Sequence, residues 1–117
     1  FENYNTTLCI EVQTMVDMME TGILPACARD MKKYASMPSL AGDRVNIYTS
    51  IKTETDKLKS LIERKPHDLK EEATYLCDTV KPQMQALRTL VDKAEGLMER
   101  ELYPYPNYEE LIYSHHA

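Results

Sequence analysis

The side chains with chemical reach in this chain are three cysteines, three histidines and scattered carboxylates. Cys9, Cys27 and Cys77 sit beside apolar positions, with no C-x-x-C spacing and no histidine nearby in sequence. An odd count without paired spacing argues against a disulfide framework or a zinc site. A thiol nucleophile needs a base within reach, and His67, in a turn, approaches a cysteine only through folding. The expected role of the three thiols is packing, reduced and partly buried. Glu109 and Glu110 stand near His115 and His116. An adjacent histidine pair at a chain end is a poor tetrahedral ligand set without two fixed partners. Lys32-Lys33 and Arg64-Lys65 lie without a Gly-rich phosphate loop, so they read as cations facing helix C-termini. No catalytic residue, cofactor site or metal site is expected in this chain.

The elements that must position these side chains follow from composition and periodicity. The chain has 117 residues, the size of one domain. It opens at Phe1 rather than Met, which suggests an excised fragment or a processed product. Its net charge of −5 argues against a nucleic-acid partner, which needs a basic face. No apolar run approaches the ~18 residues of a membrane span. Three glycines and few turn signals favour helices over many short strands.

Three helices are expected. The first, about 6–35, carries the stripe Leu8, Val12, Met15, Met19, Ile23, Ala26 and Met31 at steps of three and four. Asn3 or Asn5 is placed to cap it. Pro25 removes a backbone donor and should kink the rod near residues 21–25, with Gly22 easing the bend. Met15, Met18, Met19, Met31 and Met37 make this segment methionine-rich. Core filling is the expected use, and Met18, off the main stripe, is the member that could face a partner. After Met37-Pro38-Ser39, a second helix is expected over about 40–63, with Val45, Tyr48, Ile51, Thr55, Leu58 and Ile62 inward. Lys52, Glu54, Asp56, Lys57 and Lys59 form a solvated mixed-charge face. Asp68 and Glu71 have capping-box spacing. They open a third helix, about 69–102, whose inward residues run from Leu69 to Leu102 over about five heptads. Pro82 interrupts it as Pro25 interrupts the first. Short connections imply an elongated antiparallel three-helix bundle, all-α, in one domain over 1–117. Its length leaves room for an apolar flank that covers another chain or domain.

The tail, 103–117, is Pro/Tyr-rich: Tyr103-Pro104-Tyr105-Pro106-Asn107-Tyr108 leads into Glu109-Glu110-Leu111-Ile112-Tyr113. Each proline holds its predecessor extended. Asn107 can cap a last turn, and the tyrosines would pack back along the helices.

In these stretches the chain resembles the C-terminal helical domain of type III glutamine synthetases. The resemblance rests on Glu2-Asn3-Tyr4 leading through Ile10-Glu11 to Thr14-Met15-Val16-Asp17-Met18, on Ile23-Leu24-Pro25-Ala26, and on Met84-Gln85-Ala86-Leu87-Arg88 with Val91-Asp92, Glu95 and the aromatic-Pro-aromatic-Pro-x-Tyr ending. The family's ending usually starts with Trp, where this chain has Tyr103. Residues 35–65 match only in character. The resemblance implies a parent enzyme that ligates ammonia to glutamate with ATP and Mg or Mn. Its catalytic residues would lie upstream of Phe1, with none in this segment. The implied role is structural: docking on the catalytic domain of its own chain and on neighbouring subunits of a cytoplasmic homo-oligomer. Pro25, Met18, Pro82, Tyr103, Pro104, Tyr105, Pro106 and Tyr108 are the packing candidates. The alternative is a free-standing helical interaction module that binds a partner helix through its methionine-rich face.

Overall fold

The computed structural model describes residues 1–105. Among them the chain is all-helical, with no strand, and forms three rods. The first rod joins α1 (Glu2–Met18) to α2 (Leu24–Lys32) through a π turn, Met19–Ile23. The second is α3 (Arg44–Glu63). The third joins α4 (Leu69–Tyr75) to α5 (Lys81–Leu97) through a second π turn, Leu76–Val80.

Both π turns sit where proline forbids a regular helix. A proline inside a helix lacks a donor, and its ring collides with the carbonyl four residues back. Here the residue just before each proline donates five residues back: Leu24 to the Met19 carbonyl and Lys81 to the Leu76 carbonyl. One wider turn absorbs the misfit, and both rods stay helical through it. The expected kinks are thus π turns.

The helix ends differ from the expected bounds for local reasons. The first rod starts at Glu2, with no side-chain cap at Phe1. Asn5 is buried instead and donates through Nδ2 to the Leu69 carbonyl at 3.0 Å. The rod stops at Lys32, not 35, and its last bonds tighten to three-residue spacing, Tyr34 N–H to the Met31 carbonyl. Met37 is then driven out of the helical region (φ −139°, ψ 73°) ahead of Pro38. The second helix begins at Arg44, not 40, because Pro38–Ala41 is a short 3₁₀ turn ended by Gly42 at φ +61°, a value glycine adopts without strain. The third rod ends at Leu97, not 102: Met98 is extended (ψ 150°), buried, and followed by a turn. Asp68 caps this rod as its spacing implies, its Oδ2 accepting from Glu71 N–H at 3.1 Å.

One core joins the rods. Leu8, Val12, Val16, Met19, Ile23, Tyr48, Ile51, Leu58, Leu76, Val80, Leu87 and Val91 form a continuous buried cluster. Val45 and Leu69, expected inside, are exposed because each lies in the first turn of its helix, beyond the core. The principal extents are 52 × 37 × 19 Å. The radius of gyration is 16.3 Å, against about 13 Å for a compact chain of this order.

Candidate functional site

Two buried arrangements stand out, one polar and one aromatic. The polar one gathers at the end of the first rod. Asp30 is 1% exposed, and its Oδ2 accepts from Arg44 Nε at 2.9 Å and from the Tyr48 hydroxyl at 2.5 Å. The same guanidinium donates to the Ala41 carbonyl at 2.9 Å and to the Leu97 carbonyl at 2.6 Å, and it stacks 4.6 Å over the Tyr34 ring. One arginine therefore fastens α2, the connection to α3, the start of α3 and the end of α5. An ion pair this deep is tolerable because each guanidinium nitrogen has an acceptor and the Tyr48 hydroxyl adds a second donor to the carboxylate. Burial, then the Asp30 hydrogen bond, raises the Tyr48 hydroxyl above its usual range. Burial, then the Asp30 charge, pushes the Cys27 thiol up to about 12. Cys27 is thus a neutral packing group and no nucleophile. Sequence reasoning missed Asp30 and Arg44. The available signal was a carboxylate at position 30, in register with Ile23, Ala26 and Cys27 on the apolar face.

The aromatic arrangement involves the first π turn and the tail. Gly22 is buried in that turn, and a Cβ there would overlap the Tyr105 ring, 2.9 Å from both Cε2 and Cζ and closer still to the hydroxyl. The Tyr105 hydroxyl donates to the Met18 carbonyl at 3.4 Å. Tyr103 packs edge-on against Tyr105, with centroids 6.5 Å apart and planes at 86°, a favoured aromatic geometry. Burial, then the charges of Glu95 and Asp92, pushes the Tyr103 hydroxyl up to about 12. Gly22, read from sequence as an aid to bending, is the space in which Tyr105 lies.

The structure brings Gly22, Met18, Tyr103 and Tyr105 together. Met18 is half-buried against the core, and its carbonyl is the group that Tyr105 meets. Pro25 is half-buried at the start of α2, while Pro82, at the start of α5, and Pro104 are exposed. Pro82 lies in the other π-turn region, apart from this cluster in sequence. Pro106, Tyr108, the expected Asn107 cap, and the Glu109, Glu110, His115 and His116 set lie outside the described residues. Cys77, expected to be partly buried, is exposed on the second π turn, which turns it away from the stripe. Among the described residues no group of three His, Cys, Asp or Glu side chains is placed to hold a metal ion. None of their helices is long and apolar enough to cross a membrane.

What these features define is an all-α bundle whose buried polar and aromatic groups serve packing. Comparison with known proteins agrees with its sequence character. The chain is 28% identical over 135 residues to the Type-3 glutamine synthetase of Dictyostelium discoideum. That alignment covers 97% of this chain and 18% of the Dictyostelium protein, so the chain spans under a fifth of its relative. It is thus related to a type III glutamine synthetase, as its sequence implies. No family model matches the chain. No solved structure matches it.

Proposed function

We propose that this chain is the C-terminal helical domain of a glutamine synthetase and that it acts in assembly. The observation that carries the reading is the similarity itself, which runs through 97% of this chain but only 18% of the relative. A segment of that proportion is an accessory to a larger body. In this reading the parent ligates ammonia to glutamate using ATP and Mg or Mn. Its catalytic groups lie outside this segment, and it works in the cytoplasm as a homo-oligomer.

The mechanism is packing. We read the three rods as an elongated antiparallel bundle in one domain. The support is that Lys65, after α3, meets Cys9 in the middle of α1, in the first third of the first rod, while Arg44, at the start of α3, meets Asp30 near the end of α2. The bundle presents its tail and flank to the catalytic domain of its own chain and to neighbouring subunits. Tyr105 holds the chain against the first π turn, with Tyr103 packed edge-on beside it.

Truncating the full-length protein after Leu102 tests this. The expected result is a smaller native mass by light scattering, or a lower melting temperature, with the loss of activity following the loss of assembly. A truncated protein with unchanged native mass and melting temperature would contradict the reading.

A further inference from the structure

We propose that residues 98–105 form a strap that opens as one unit about Met98, and that the closed strap fills a tyrosine-shaped notch in the first rod with a side chain of its own. The proposal does not depend on the assembly role.

The hinge is set by what lies on either side of it. Arg44 grips the Leu97 carbonyl at 2.6 Å, which fixes α5 up to its last residue. Met98 then turns extended (ψ 150°), and residues 98–105 contain no helix or strand. Their backbone closes a turn, Leu102 N–H to the Glu99 carbonyl at 3.0 Å. Without a ladder of its own, the segment is held by side chains, and these reach the first rod at two levels. Glu99 pairs with Lys33 at 2.7 Å, just past the end of α2. Tyr105 lies over Gly22 and donates to the Met18 carbonyl. From Met18 to Lys33 a helical rod rises about 22 Å, and residues 99–105 span about 20 Å when extended. The segment therefore runs along the rod, tied near both of its ends.

Both ties are weak beside the core. The side chains of the Lys33–Glu99 pair are 37% and 64% exposed, and an exposed pair contributes little. The Tyr105 bond, at 3.4 Å, is long for a hydroxyl donor. Tyr103 and Tyr105 are half-buried, whereas Leu87 and Ala94 of α5 are fully buried. A segment with few buried contacts opens at a lower free energy than the whole fold. Opening uncovers a notch that fits a phenol, with room for a ring where Gly22 lacks a Cβ and a carbonyl acceptor at Met18. The closed strap is thus an autoinhibitory contact: a tyrosine from another chain can enter the notch only when the strap is open.

The test is limited proteolysis of the full-length protein by trypsin under native conditions, with each cleavage followed by mass spectrometry. Cutting after Arg100 requires the strap to open, and cutting after Lys93, inside α5, requires the bundle to unfold. Arg100 should be cut well before Lys93. Two substitutions on the first rod loosen one tie each and leave the sequence around Arg100 untouched. Gly22→Thr, which unseats Tyr105, should speed the Arg100 cut about tenfold. Lys33→Gln, which removes the ion pair, should speed it about threefold. Neither should change the Lys93 cut. Equal rates at Arg100 and Lys93 in the wild type, or an Arg100 rate that neither substitution moves, would overturn the proposal. If Gly22→Thr also speeds the Lys93 cut, the bundle itself is loosened and Lys33→Gln decides: a faster Arg100 cut supports the strap, and an unchanged one refutes it.

Discussion

The two π turns are built alike and used differently. Each has five residues, ends two residues before a proline and is bonded across its end by a five-residue step. Position for position, Met19 matches Leu76, Gly22 matches Thr79 and Ile23 matches Val80. The first and last of these pairs are buried in both rods. The middle pair is not equivalent: Gly22 makes room for Tyr105, whereas Thr79 is half-buried. A proline therefore dictates the wide turn in both rods, but only the glycine turns that geometry into a seat for another part of the chain. Local backbone chemistry makes the device, and one missing Cβ gives it a partner.

What the turns share should show first. Ile23→Ala and Leu76→Ala each truncate a fully buried side chain in a π turn. Each should cost about 2–5 kcal/mol in urea unfolding. A cost under 1 kcal/mol at one turn alone would mean that only the other belongs to the core.

Exchanging the residues that differ should separate the turns. Gly22→Thr places a side chain where the Tyr105 ring lies and should cost about 1–3 kcal/mol through overpacking, despite the better helix propensity of Thr. Thr79→Gly should cost only about 0.5–1 kcal/mol, from backbone entropy. Equal costs, read from the same unfolding curves, would erase the contrast.

The smallest effect concerns the anchoring of the two rods under acid. The third rod starts beside Glu72, whose carboxyl is held below its usual range, first by the Lys65 hydrogen bond. A carboxylate lowered in the folded state contributes stability that is full above the unfolded value of about 4.3 and lost as pH falls through the lower folded value. Acid should therefore loosen the start of α4, and Glu72→Gln should flatten that part of the stability curve. Stability that falls equally with acid in Glu72→Gln and wild type would remove the pair from the account.

Much of this was legible in the residues. Steps of three and four exposed the three rods, and Asp68 with Glu71 marked the start of the third. Pro25 and Pro82 located both irregularities, but not their form. Propensity registers the lost donor, while the choice between a kink and a wider turn depends on keeping Ile23 and Val80 inward, which is a matter of tertiary packing. Gly22 was visible, yet its use depends on Tyr105, far along the chain. The buried polar ties were harder. Asp30, Asn5 and Gln83 each occupy a position on an apolar face, and their partners are Arg44, the Leu69 carbonyl and Glu54. Such a residue signals a buried hydrogen bond in sequence without naming the partner.

The claim that the tail is seated in the first π turn is tested most directly by a double-mutant cycle of Gly22→Thr and Tyr105→Ala, read by urea unfolding. If Tyr105 occupies the space that Gly22 leaves, removing the ring should free it. Gly22→Thr, costing about 1–3 kcal/mol in the wild type, should then cost less than about 0.5 kcal/mol in the Tyr105→Ala background. Strictly additive costs would show that ring and glycine do not meet, and the tail would have to be fixed elsewhere.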